Sequence, residues 1–296
     1  MTPSRETVKR LTVALCIVLG LAACAEVSRE PVGDTQTDKR PRIVSLDYCA
    51  DQFVLALADR YQIAGLSPDA SAPFSYLRKE ARGLPKVRAR MEDILLRRPD
   101  VALRTYGGGA NAQAMLERAG IDVIQIGYAN DLADIRKTIR ETADALGALE
   151  RGERLIDEMD RRIDALASPP ATRPQVLYLT SKGAVAGKGT LINELIDLAG
   201  FANFEQHAGW RTVSLEALAY AAPDTIAASF FDTGDTKRDL WTPSRHPVAK
   251  ARLANADVVN LPGAWTACAA WYVLDVAEAL DAARQKQAPE KDGKAS

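Results

Sequence analysis

The chain has 296 residues, with 38 basic and 39 acidic side chains and a net charge of −1. Without a basic excess nothing is available to neutralise a phosphate backbone, which excludes nucleic acid as a partner. The only two histidines, His207 and His246, stand alone in their segments, whereas metal binding directly by side chains needs clustered His, Cys or carboxylate.

At the N-terminus, Arg5, Lys9 and Arg10 precede an uncharged apolar run from Leu11 to Ala23. That run is too short to span a bilayer comfortably, and its flanks are those of a secretory signal, so residues 1–23 are expected to be a signal peptide and the protein to be exported. Leu21-Ala22-Ala23-Cys24 resembles a lipobox, in which Cys24 would be acylated and tether the protein to a membrane. Ala23-Cys24-Ala25 also has the small-x-small form of ordinary cleavage. Losing residues 1–23 removes three basic side chains and one acid, which takes the net charge to −3. Residues 24–41 are polar, contain Pro31 and Gly33, and read as a flexible tether.

From residue 42 onward strands alternate with helices. RIVSL (42–46) reads as a strand, a turn with Asp47 follows, and Phe53, Val54 and Leu57 mark an apolar-periodic helix. QIAGLS gives a second strand, the residues near Val87 a candidate third, and VALR after Pro99-Asp100 a fourth. A Gly-rich turn (Gly107 to Gly109), a helix stopping at Gly120 and the strand DVIQI complete a lobe over 42–148. Asp131 to Ala167 has helical periodicity throughout. Its last part carries an apolar stripe of Leu155, Ile156, Met159 and Ile163 under charges such as Glu153, Asp157 and Arg161, and Pro169-Pro170 ends it. Residues 149–170 are therefore expected to be a single long helix connecting two lobes.

The second lobe, 171–284, repeats the scheme with QVLYL, the Gly-rich turn AGKGT, the helix LINELIDLAG, TIAAS, DVVNL and a last helix from about Cys268 to Ala283. Residues 285–296 form a polar tail expected to be disordered. The fold class is accordingly α/β, two Rossmann-like lobes with parallel sheets and a ligand cleft between them. A short repeat supports the duplication. Glu92 lies seven residues before Pro99-Asp100, and Glu216 lies seven before Pro223-Asp224. Either glutamate alone is explained as a helix-start residue favoured by the macrodipole; in matching places on two lobes they can also serve as paired docking points.

No catalytic constellation is visible. AGKGT lacks the spacing and the Lys-Ser/Thr ending of a phosphate loop, and Ser181 and Thr190 have no Ser-His-Asp arrangement around them. The aromatics say more. Tyr48, Phe74, Tyr106, Trp210, Trp241 and Trp265 fall in loops or at element ends, where α/β sheets bind ligands, and together they suggest an aromatic-lined cleft.

The segments RIVSLDYCADQFVLALAD, MEDILLRRPDVALRTYGGG, GKGTLINELIDLAGFANF and GWRTVSLEALAYAAPDTIAAS occur in an order that resembles the substrate-binding proteins of ABC importers for metal chelates: cobalamin, haem and ferric siderophores. The resemblance covers roughly residues 42–283. It implies an extracytoplasmic receptor, a monomer with no cofactor and no enzymatic activity, whose partners are a metal chelate and an ABC permease with its ATPase subunits. An exported enzyme of the same fold, or a sensor module, is the alternative. It also implies that Glu92 and Glu216 pair with permease arginines and that the connecting helix limits closure. Trp210 and Trp265 match positions of the cobalamin-binding member, although Ala264 stands where that protein carries an acid. Tyr48 or Tyr106 would be the haem-iron ligand. Arg104, Arg211 and Arg245 would face an anionic siderophore. Cys49 and Cys268, one per lobe, are expected to face an open cleft as two free thiols.

Overall fold

The structure, a computed structural model, describes residues 40–166, 172–230, 246–247, 251, 254 and 256–287. The first lobe is built from β1 (Ile43–Ser45), α1 (Tyr48–Leu57), β2 (Ile63–Gly65), α2 (Met91–Leu95), β3 (Val101–Arg104), α3 (Ala112–Arg118) and β4 (Asp122–Gln125). Its sheet has the order β2-β1-β3-β4 with every pair parallel. β1 and β3 are buried along their whole length, as parallel strands covered on both faces must be, which explains why they read as continuous apolar runs. The residues near Val87 form only an isolated bridge, Leu66 to Lys86, rather than a strand.

The second lobe has β5 (Gln175–Thr180), β6 (Ala184–Ala186), α6 (Leu191–Leu198), β7 (Ala202–Asn203), β8 (Trp210–Thr212), α7 (Leu215–Tyr220), β9 (Thr225–Phe230), β10 (Asp257–Pro262), α8 (Gly263–Thr266) and α9 (Leu274–Gln287). Its parallel sheet runs β10-β9-β5-β7, and β6 pairs antiparallel with β8 in a small separate ribbon that the sequence pattern does not predict. The Gly-rich turn beside that ribbon is required by packing. A Cβ on Gly187 would lie 1.8 Å from the His207 carbonyl oxygen, and Gly189 has φ +74°. The last helix begins at Leu274, not near Cys268, and it continues through Gln287, beyond the expected helix end at Ala283 and into the first residues of the expected tail.

Between the lobes run α4 (Leu132–Ala145) and α5 (Leu149–Leu166), separated by Gly147 at φ +64°. They pack closely enough that a Cβ on Gly152 would stand 2.5 Å from that of Ala143. Arg140 grips Glu153 across this pair at 2.6 and 3.0 Å, so Glu153 is paired between helices instead of along its own. Arg162 leaves α5 to meet Asp275 and Glu278 of α9, each at 2.6 Å.

The two lobes do not have wholly separate cores. One buried apolar cluster joins Phe53, Leu57, Ile135 and Ile139 to Val176, Leu195, Tyr272 and Leu280, while smaller clusters around Leu116 and Leu218 lie on the other face of each sheet. Pro-Asp has the same local role in both lobes. Asp100 accepts the Arg42 backbone N–H at 2.8 Å, and Asp224 accepts that of Gln175 at 2.7 Å, each at the entrance to its lobe's first sheet strand.

Candidate functional site

The segment Asp47-Tyr48-Cys49-Ala50-Asp51-Gln52 organises the first lobe's share of the cleft. Asp47 caps α1 by accepting the Ala50 N–H at 3.0 Å. Its second oxygen accepts the N–H groups of Thr105, Tyr106 and Gly107 at 2.7, 3.0 and 2.9 Å. A single buried carboxylate thus fixes Tyr48 and the Tyr106 loop together. Gly107 is needed there because a Cβ would lie 2.3 Å from the Leu46 carbonyl oxygen. Asp51 accepts the Ser67 N–H at 2.9 Å and its hydroxyl at 2.5 Å. Buried Gln52 donates to Tyr48 O and Ser75 Oγ and accepts the Leu77 N–H at 2.8 Å, which holds residues 74–78 against α1.

The result is an aromatic group. Tyr48 meets Phe74 edge-on at 4.9 Å between centroids and Tyr106 at 6.1 Å. Burial raises both phenols above the ordinary tyrosine range, and at Tyr48 the neighbouring Tyr106 works against that rise.

Next to this group a cavity of about 260 Å³ is lined by Phe74, Tyr76 and Arg78 from the first lobe and by Pro262, Gly263, Ala264 and Trp265 from the second. Arg78, exposed and bound only loosely to the Ser75 carbonyl at 3.3 Å, was not singled out from the sequence. The signal available was its position four residues after Phe74 in a segment already marked by aromatics. The lobes are tied together behind the cavity. Tyr76 stacks on Tyr272 at 4.0 Å and donates its hydroxyl to Asp275 at 2.9 Å, and Phe53 meets Trp271 at 5.6 Å.

Cys49 and Cys268 form a disulfide, with Cα atoms 5.5 Å apart. The expectation of two free thiols facing an open cleft is therefore corrected. The reason is the shared core: the start of α1 and the irregular segment after α8 meet where Phe53 packs on Trp271, at closed contact between lobes.

Arg104, at the end of β3, is only 7% exposed, donates to the Gly109 carbonyl at 3.0 Å and has no hydrogen-bond partner at Nε among the described residues. Arg211 is exposed on β8. Trp210 does not line the cavity; it is half-exposed and rests edge-on against buried Tyr178, 5.8 Å away. On the adjacent strand β9, Ser229 shares a hydrogen bond of 2.7 Å with Thr266, the neighbour of Trp265. Glu92 and Glu216 are exposed in the first turns of α2 and α7, and neither carboxylate is paired among the described residues. Cys24, Trp241 and Arg245 lie outside the described residues. Among the described residues no group of three or more His, Cys, Asp or Glu could hold a metal ion, and no helix is long and apolar enough to cross a membrane.

The sequence matches the periplasmic binding protein family over residues 43–239. The chain belongs to that family. The two parallel-sheet lobes described above are its fold, and the family is one of extracytoplasmic solute-binding proteins rather than enzymes. Among solved structures, this periplasmic binding protein is similar to the periplasmic haem-binding protein BhuT in complex with two haems, at 26% identity and TM-score 0.62 over 82% of this chain and 98% of that one. It is also similar to the periplasmic haem-binding protein HutB of Vibrio cholerae, at 20% identity and TM-score 0.65 over 82% and 98%. Among curated proteins it is 24% identical over 227 residues, 71% of each chain, to the uncharacterised ABC transporter substrate-binding lipoprotein YvrC of Bacillus subtilis.

Proposed function

We propose that this periplasmic binding protein captures an iron-bearing chelate, with haem the best fit, and delivers it to an ABC importer. The observation that carries the reading is the Tyr48–Phe74–Tyr106 aromatic group beside an inter-lobe cavity walled by Phe74 and Trp265. A phenol beside the cavity offers a hard oxygen that suits a ferric ion, and aromatic walls suit a flat ring. A cavity of about 260 Å³ lies just below the roughly 300–1,000 Å³ of typical ligand pockets, so the cleft receives part of a large chelate while the rest lies over exposed Tyr106. A ferric siderophore is the second reading, favoured by the exposed guanidinium of Arg78 at the cavity. Cobalamin is third in this order. The reading gives the chain no chemistry to perform, and Glu92 and Glu216 serve as its docking points on the permease.

The test is titration of the ligand-free protein with hemin, a panel of ferric hydroxamates and catecholates, and cyanocobalamin. Hemin should bind at micromolar concentration or below with a phenolate-to-iron charge-transfer band that Tyr48→Phe abolishes. Binding of a siderophore but not hemin moves the assignment to the second reading. No binding of any of the three defeats the proposal.

A further inference from the structure

The repeat that carries Glu92 and Glu216 goes further than the acids. Ile94 and Leu218, two residues on, are both buried under their lobes, and Asp100 and Asp224 fasten equivalent strand entrances. In this matched frame the residues four places after the glutamates are Leu96 and Tyr220. They are 81% and 85% exposed, the two highest values among the exposed large apolar side chains of the described residues. Leu96 returns its N–H to the Glu92 carbonyl at 3.1 Å, and Tyr220 ends α7, so each stands one turn from its glutamate on the same helix face.

A single exposed leucine or tyrosine is ordinary. Here the same position is exposed in both lobes although the side chains differ, and neither lobe's packing calls for it. We propose that Leu96 and Tyr220 are paired apolar anchors, one per lobe, that enter equivalent pockets on the two halves of the permease dimer beside the acid contacts. The inference rests on the reading that Glu92 and Glu216 face that permease. Association of two copies of this chain through the same tips would bring unpaired carboxylates together, which costs free energy, whereas a partner carrying basic groups next to an apolar pocket complements both features. Beside Leu96 a groove of about 500 Å³ lined by Lys86, Arg88, Arg97 and Asp93 adds a second, mostly basic feature for an acidic group of the partner. Around Tyr220 the counterparts of Asp93 and Arg97 are Ala217 and Ala221, so the apolar anchor carries more of the contact there.

The test uses the full chain in its own host with a benzophenone amino acid in place of Leu96, Tyr220 or, as a control that is also exposed at 70%, Tyr61. Irradiation should join positions 96 and 220 to a polytopic permease subunit identified by mass spectrometry, and position 61 to none. Adducts with a soluble protein, with a second copy of this chain, or equally from position 61 overturn the inference. With the permease–ATPase complex in nanodiscs, Leu96→Ser and Tyr220→Ser should each weaken docking by about tenfold, the level of an interface hot spot, with hemin affinity and thermal midpoint unchanged. Full docking by the Ser double variant rejects the anchors. If Glu92→Lys/Glu216→Lys still loses docking, the glutamate reading survives that rejection; if it too docks fully, both fall.

Discussion

Removing the inter-lobe disulfide by Cys49→Ala with Cys268→Ala should destabilise the protein substantially without unfolding it. The bridge closes a loop with a sequence separation of 219 residues. Chain-entropy reasoning puts the constraint on the unfolded state at about 5 kcal/mol for a loop of that length, with measured values for disulfides more often about 2–4 kcal/mol. Part of the interface survives the change, since the Tyr76–Tyr272 stack, the Tyr76–Asp275 hydrogen bond and the Phe53–Trp271 contact do not depend on the bridge. A loss of about 2–4 kcal/mol corresponds to a fall in thermal midpoint on the order of 5–15 °C for a domain of this size. The assay is calorimetry of wild type and double variant, with and without reductant, alongside thiol titration of the unreduced, denatured protein. Wild type should show no reactive thiol at these two positions until reductant is added, and reductant should lower only the wild-type midpoint. Two reactive thiols in unreduced wild type, or coincident midpoints, would refute the reasoning.

Three further outcomes are expected. Ferric coordination by Tyr48 requires its proton to leave, and since burial holds the phenol above its ordinary range, hemin affinity should rise by roughly tenfold per pH unit between pH 6 and 8.5; a slope that persists in Tyr48→Phe removes Tyr48 as the ligand. Burial pushes Asp51 from 3.8 up to about 6 against the opposing bonds from Ser67. A raised carboxyl contributes stability that is full below pH 3.8 and lost as pH rises through 6, on the order of 3 kcal/mol here, so Asp51→Asn should gain on wild type in urea unfolding between pH 4 and 6 and then run parallel; a constant gap across that range contradicts the assignment. Palmitate should label the wild-type chain in a bacterial host and not Cys24→Ser, whereas an unlabelled wild type would favour ordinary cleavage.

Much of the fold was legible because parallel strands covered on both faces leave uninterrupted apolar runs such as Ile43-Val44 and the QVLYL of β5, and because proline and glycine mark their ends. The β6–β8 ribbon was not legible. Three-residue strands have no period to detect, and Trp210 therefore looked like a loop residue. The site was legible in its aromatics but not in its scaffold. Asp47, Asp51 and Gln52 are buried polar residues on a helix read for its apolar face, and their partners at residues 67, 75 and 105–107 are distant in sequence. The free-thiol expectation for Cys49 failed for a related reason. Sequence places it at a helix start near a cleft, but only packing decides whether such a side chain turns toward solvent or across to the other lobe.

The ties between the lobes converge on a short stretch of each. Residues 74–78 supply Phe74 and Arg78 to the cavity and Tyr76 to the stack on Tyr272, while residues 262–278 supply Trp265 to the cavity, Cys268 to the bridge and Asp275 to both Tyr76 and Arg162. Burial, and then the bond to Asp275, hold the Tyr76 hydroxyl up at about 12, so it remains a donor throughout the physiological range. Parting the lobes at this end would break that bond, give up the Arg162–Asp275 pair and expose the shared core, with hydrogen bonds to charged groups alone worth about 1.5–3 kcal/mol each. The disulfide forbids it outright, because its Cα atoms cannot separate beyond about 7 Å. Cavity-lining residues are therefore neighbours in sequence of the residues that lock the lobes. A ligand then gains affinity from a site already held in shape rather than from closing one, since ordering costs are met in folding and not in binding.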